Sequence, residues 1–185
     1  LAKFSDCAEN RPEGGGPRQK QDDVYPASWA VAVTLYAEHT WYFGGYIAGI
    51  MELDPNADGY IGAKADSSLD AEIVAQCWSL MLVLSLLGDC SEEVQFHSVY
   101  DATVAAKLTQ ALAEPARDSH RELLSRIAMT LAQIIAMKAR AQWHHVYSHT
   151  GNPLNELADS LVEAASLTRW VRNVQKPPIR EWATT

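Results

Sequence analysis

The stretch LDAEIVAQCWSLMLVLSLL, residues 69–87, constrains the fold of this chain more than any other. It is long enough for a helix and apolar on nearly all sides. A helix without a polar face must be covered by other elements over most of its surface. Gly88 closes it. The rest of the chain therefore has to supply that cover, and its periodicities are those of strands and amphipathic helices.

Ahead of this helix, LAKFS reads as a short strand ending at Asp6, and SWAVAVTLY (28–36) and TWYFGGYIAGI (40–50) read as a hairpin joined by AEH. The Gly-rich polar segment 7–27 and the segment 51–68, with its Asp-Pro and Asp-Gly turn signals, are expected to be disordered loops. After the helix, EVQFHSVY (93–100) is a fourth strand, and Ala102 to Leu112 a short helix stopped near Pro115. From Ser119 to about Ala139 an amphipathic helix places Leu123, Ile127, Leu131 and Ile134 at helical spacing. RAQWHHVYSH (140–149) is a fifth strand. The last helix runs from Pro153 to about Ser166, with Asn152 as cap and proline at its first position. Its Leu154, Leu157, Ala158, Leu161, Val162 and Ala165 follow helical spacing, which sets Asn155 and Asp159 on one edge, four residues apart. The order β-β-β-α-β-α-α-β-α predicts an α/β fold with a five-stranded mixed sheet flanked by helices. One domain over 1–167 is expected, with 168–185 as a C-terminal tail or linker.

Bulk properties narrow the function. The chain has 185 residues, 48% of them hydrophobic, enough to bury one sizeable core. Its formal net charge of −8 argues against a free-standing nucleic-acid binder, which needs a positive field to meet phosphates, but not against an enzyme whose acids hold metal ions. Cys7, Cys77 and Cys90 lack metal-ligand spacing and read as reduced thiols, so an intracellular protein, in cytoplasm or nucleus, is expected. No uninterrupted apolar run reaches about 18 residues and no secretory signal is visible, so no membrane partner is expected. The chain begins with Leu1 rather than Met, and is read as a piece of a longer polyprotein.

Four carboxylates occupy telling places: Asp6 at the end of the first strand, Glu72 in the first turn of the apolar helix, Asp101 at the end of the fourth strand, and Asp159 on the last helix. Each has an ordinary structural explanation. Asp6 can start a turn, Asp101 can cap a helix, Glu72 can complement a helix dipole, and Asp159 can lie on a solvated face. As a set they point elsewhere. Neighbouring first and fourth strands would bring four acids together, and such a cluster repels itself unless cations sit within it. Two divalent ions about 4 Å apart clamp the attacking water and the leaving oxygen in phosphodiester cleavage. Hard oxygen ligands suit Mg²⁺ or Mn²⁺.

HHVYSHTGNPLNELADSLVEAA (144–165) resembles the C-terminal signature of type I ribonuclease H, a strand leading to a His-containing loop and an Asn-Glu-x-x-Asp helix. LDAEIVAQCWSL resembles the family's Ala-Glu helix, and FHSVYDATVA its Asp-bearing strand end; the resemblance spans roughly residues 1–167 in family order. It implies an RNase H-like fold and metal-dependent endonucleolytic cleavage of the RNA strand of RNA/DNA hybrids. Long insertions make the chain look most like the RNase H domain of a retroelement polyprotein, with a fused or associated reverse transcriptase domain as partner. The resemblance implies Asp6, Glu72, Asp101 and Asp159 as ligands of two Mg²⁺ (or Mn²⁺), and His149 as the group assisting proton transfer or product departure. Asn155 would position the His149 loop or touch the hybrid. Ser67 and Ser68 fall where the family uses small polar residues against the nucleic-acid backbone, with N-capping an equal alternative, and Thr103 could reach a minor-groove edge.

The chain also departs from the family. The family's first Asp is followed by Gly-Ser, whereas here the text is SDCAEN; Asp22 and Asp23 are alternatives ranked below Asp6 because they do not end a strand. The basic hybrid-gripping protrusion is not evident between Arg117 and Arg140, so hybrid affinity of this piece alone is expected to be weak and salt-sensitive. Two rival readings share the fold. One is a catalytically degenerate connector domain of a polyprotein, and the other a two-metal DNA nuclease or strand-transferase.

Overall fold

The computed structural model describes residues 2–6, 26–37, 39–88, 94–116, 119–147, 150–168 and 170–172, with the backbone alone for 2–6, 37 and 170–172. Six strands are present among them: β1 (Ala2–Asp6), β2 (Ser28–Ala37), β3 (Thr40–Ile50), β4 (Gln95–Tyr100), β5 (Arg140–His145) and β6 (Trp170–Arg172). The helices are α1 (Ser68–Leu87), α2 (Thr103–Thr109), α3 (Glu122–Lys138) and α4 (Pro153–Thr168). The sheet order is β5-β4-β1-β2-β3-β6. β1, β4 and β5 are parallel neighbours, while β2, β3 and β6 add antiparallel. The mixed sheet thus has six strands rather than the expected five. The sixth lies in the segment read as tail, where Trp170–Arg172 pairs with Gly49 to Ile47 on the edge of β3.

Side-chain alternation along β2 divides the core into two layers. Trp29, Val31 and Val33 point to one face, where they pack with α1, α2 and α3; Ala30 points to the other, with Ala48 and the α4 residues Ala158, Leu161, Val162 and Ala165. Alanines at the second contact let α4 approach the sheet closely. α1 lies between the sheet and α3, which explains a helix apolar on nearly all sides. Trp78 of α1 stacks on Trp29 with ring centroids 5.2 Å apart. By length and composition α1 could also cross a membrane, but 78% of that apolar window is buried within the fold.

Several boundaries and faces depart from expectation for local physical reasons. The buried stripe of α3 is Leu124, Ser125, Ala128, Ala132 and Ile135, so the stripe expected from Leu123, Ile127, Leu131 and Ile134 runs along its flank. The buried stripe mixes large Leu124 and Ile135 with small Ser125, Ala128 and Ala132, while Ile127 and Leu131 pack partly buried at its margin. Segment 51–67 is not a loose loop: Ile61 and Ala63 are buried in the core, and Gly62 sits at φ +94 with no room for a Cβ beside Ile127. α2 ends at Thr109, where Ala111 turns left-handed (φ 59) and the Leu112 N–H donates to the Lys107 carbonyl at 2.8 Å. β5 stops at His145 rather than residue 149. Cys77 is buried outside any disulfide, while Cys7 and Cys90 lie outside the described residues.

Candidate active site at the carboxyl ends of the strands

Parallel strands align their carboxyl ends, and open α/β sheets place ligands there. In this sheet Ser5 pairs with Tyr100 and Tyr100 with His145, so Asp6 and Asp101 each follow a paired residue at the same end of adjacent strands. The Val146 N–H donates to the Tyr100 carbonyl at 2.8 Å, continuing that row. The start of β2 lies at this edge too, since Asp6 pairs with Ala30. The Ala27 N–H donates to Asp66 Oδ1 at 2.7 Å, which ties the residue before the α1 cap to the same edge. Glu72 belongs to the helix on one face of this sheet and Asp159 to the helix on the other.

Glu72 is 6% exposed, and α1 begins at Ser68, so Glu72 belongs to the second turn; the acid of the first turn is Asp70. Asp101 is half-buried, and the cap of α2 is Ala102, one residue on, so Asp101 does not occupy the N-cap position the structural explanation gave it. Asp159 is also half-buried. Oxygens Glu72 Oε2, Asp101 Oδ1, Asp159 Oδ2 and Asn155 Oδ1 are all shielded from solvent. Burial raises the Asp159 carboxyl above the ordinary carboxylate range. Such a group favours folding while protonated, and that contribution is lost as pH climbs from the ordinary carboxylate range through its raised value. Asp159→Asn is therefore expected to melt at a higher temperature than the parent near pH 7 in EDTA, the gap closing at acid pH; melting curves across pH check it.

The donor set is all oxygen, which suits a hard divalent ion. Among the described residues, however, no group of three or more His, Cys, Asp or Glu side chains stands close enough together to hold a metal ion. Glu72, Asp101 and Asp159 thus do not make a three-ligand site by themselves. The Asp6 side chain, His149, and the lower-ranked Asp22 and Asp23 lie outside the description.

The other expected positions fall out unequally. Asn155 is 1% exposed, because its i, i+3 offset from the core residue Ala158 turns it inward. Asn152 Oδ1 accepts from the Leu154 N–H at 3.2 Å and Gly151 takes φ +77, so the turn into α4 is built from these two residues. Ser67 is the α1 cap, accepting from the Asp70 N–H at 3.2 Å. Ser67→Ala is expected to cost about 1 kcal/mol of stability by denaturant titration. Ser68 is half-buried in the first turn, and Thr103 is exposed at the start of α2.

A further buried acid, Asp70, precedes Glu72 by two residues. Asp70, 1% exposed, receives the Arg121 guanidinium, His120 Nε2 at 3.3 Å and Ser67 Oγ at 2.6 Å. This cluster pins the start of α1, and so Glu72, to the entry of α3. The Ser-x-x-Asp pattern at 67–70 signals the cap, but nothing in the sequence signals Arg121, 51 residues away.

No protein-family model and no curated protein sequence matches the chain. Solved structures do. The chain is similar to RNase H1 from the halophilic archaeon Halobacterium salinarum NRC-1, with TM-score 0.53 and 15% identity over 89% of this chain and 95% of that one. It is similar to LC9-RNase H1, a type 1 RNase H with the type 2 active-site motif (0.51, 12%, covering 100% and 80%). It also resembles the N-terminal RNase H domain of a Mycobacterium tuberculosis protein solved as a fusion with maltose binding protein (0.51, 16%, 91% and 96%). At such identities the likeness is one of fold: over most of its length the chain has the α/β RNase H-like fold.

Proposed function

We propose that this protein is a metal-dependent endoribonuclease that cleaves the RNA strand of RNA/DNA hybrids. The observation that carries the reading is that Asp6 and Asp101 follow paired residues at the same end of adjacent parallel strands, while Glu72 and Asp159 belong to α1 and α4, the helices on the two faces of that sheet. Asp6, Glu72, Asp101 and Asp159 would hold two Mg²⁺ or Mn²⁺, which when bound stabilise charge on the phosphate under attack. Asp6 would have to complete the ligand set, since the other three acids do not form one alone. His149 would move a proton at the leaving oxygen, and the buried Asn155 with the turn at Gly151 and Asn152 would support it from the start of α4. Thr103 and the partly accessible Ser68 are the substrate-facing candidates near α1 and α2.

With a net charge of −8 the chain has little grip on phosphates, so a fused or associated reverse transcriptase domain of a retroelement polyprotein would supply it, inside the cell. The discriminating experiment offers labelled RNA/DNA hybrid, double-stranded DNA and single-stranded RNA to the protein in Mg²⁺. Cleavage confined to the RNA strand of the hybrid supports the proposal, and cleavage of duplex DNA favours the strand-transferase class. A degenerate connector is the second reading, favoured by the lack of a three-ligand group among the described residues and by Cys-Ala in place of Gly-Ser after Asp6. It is supported if a folded sample cuts none of the three.

A further inference from the structure

Outside the acidic edge, the sheet carries a second set of ligand-type side chains. His97 of β4 and His144 of β5 meet across the parallel pair, with His97 Nδ1 and His144 Nε2 2.9 Å apart, ring centroids 5.2 Å apart and ring planes within 14° of each other. By alternation His97 shares the sheet face of Val99, the face on which α4 packs. α4 lies over β1, β2 and β3, so His97 is half-buried and His144 exposed. We propose that His97 and His144 form a binding site for a divalent transition-metal ion, Cu²⁺ or Ni²⁺, separate from the carboxylates.

Three observations support the site. The rings of His97 and His144 lie end to end and share one hydrogen bond, so two imidazoles from neighbouring strands are already in reach of one ion, and a turn of the exposed His144 ring makes both lone pairs converge. Imidazole nitrogens suit Cu²⁺ and Ni²⁺, in which the pair would take two adjacent positions. His97 is also held below the usual histidine range, first by burial and then by the His144 imidazole beside it, which keeps its ring neutral and able to ligate. On binding, the ring that donates the shared hydrogen bond moves its proton to its other nitrogen through solvent. Both nitrogens then offer lone pairs, each ring keeping one N–H. Gln142 stands on the His144 side of β5 and can add an amide oxygen, with water completing the shell. Because β5 is the edge of the sheet, the chelate would also clamp that strand to β4.

The test uses the full chain without an affinity tag, titrated with CuCl₂ and with NiCl₂ by calorimetry, together with the electron paramagnetic resonance spectrum of the copper form. The expected result is a site with two nitrogen ligands, a melting temperature raised by the metal, and an affinity that falls roughly tenfold or more in each of His97→Gln and His144→Gln. His144→Gln alters an exposed side chain, so it stands as the decisive variant should His97→Gln fold poorly. His39→Ala, in the exposed β2–β3 turn, should bind as the parent does. Unchanged affinity in His144→Gln, a spectrum without nitrogen ligands, or no uptake by the parent would each overturn the proposal. Hybrid cleavage is not among the readouts, so this inference and the nuclease reading stand or fall separately.

Discussion

Asp101→Asn is expected to lower RNA-strand cleavage by on the order of 10²–10³-fold or more while leaving the melting temperature near that of the parent. Asparagine keeps the shape and one oxygen acceptor of the side chain but removes its charge. At the end of β4, beside the end of β1, that charge is what a cation would need. Asp101 is half-buried and does not occupy the N-cap of α2, so its loss should not unravel the helix that follows. Removing one negative charge from an acidic edge also relieves repulsion in the metal-free protein. Loss of cleavage with retained melting identifies a functional carboxylate. Parallel loss of both would make Asp101 a structural residue and weaken the nuclease reading.

The second large effect concerns stability. Arg121→Ala is expected to destabilise the fold by about 3 kcal/mol, the lower end of the usual range for stripping a partner from a buried ion pair. Asp70 is 1% exposed, and without the guanidinium its charge would rest on His120 and Ser67 alone. For a chain of this size the melting temperature should fall by roughly 6–12 °C. Asp70→Asn combined with Arg121→Ala should recover much of that loss, since no uncompensated charge is then buried. Thermal melts of the two single variants and the double variant measure the coupling directly. Additive losses would show that the pair does not act as one unit. Because the cluster pins the first turns of α1, Arg121→Ala should also impair cleavage at temperatures where the variant is still folded, through displacement of Glu72.

Much of the fold was legible because its signals are local. α4 shows strict helical spacing from Leu154 to Ala165 with a cap at Asn152, and it formed where expected, extending to Thr168. α1 was legible from the apolarity that its place between sheet and α3 demands. The missed features depend on partners far away in the chain. β6 is three residues long and exists by pairing with the edge of β3. Segment 51–67 is ordered because Ile61 and Ala63 find the core, which turn signals cannot reveal. α3 shows its face slightly rotated because Ala128 and Ala132, weak in a hydrophobicity pattern, are the residues that fit against α1.

The candidate site was legible in part for the same reason. Strand-end positions of Asp6 and Asp101 follow from β order, and adjacency of β1 and β4 brings them to one edge. The interior position of Asn155 and the ion cluster at Asp70 require packing and could not be read from spacing. The His97–His144 pair depends on β4 and β5 being neighbours, a relation between residues 47 positions apart.

Incubating the folded protein with an end-labelled RNA/DNA hybrid at low salt in Mg²⁺, in Mn²⁺ and in EDTA decides whether these carboxylates serve catalysis. Cuts in the RNA strand are expected with either ion and none in EDTA. An intact RNA strand under both ions, from protein shown to be folded, would contradict the nuclease reading and leave an RNase H-like domain serving as a connector.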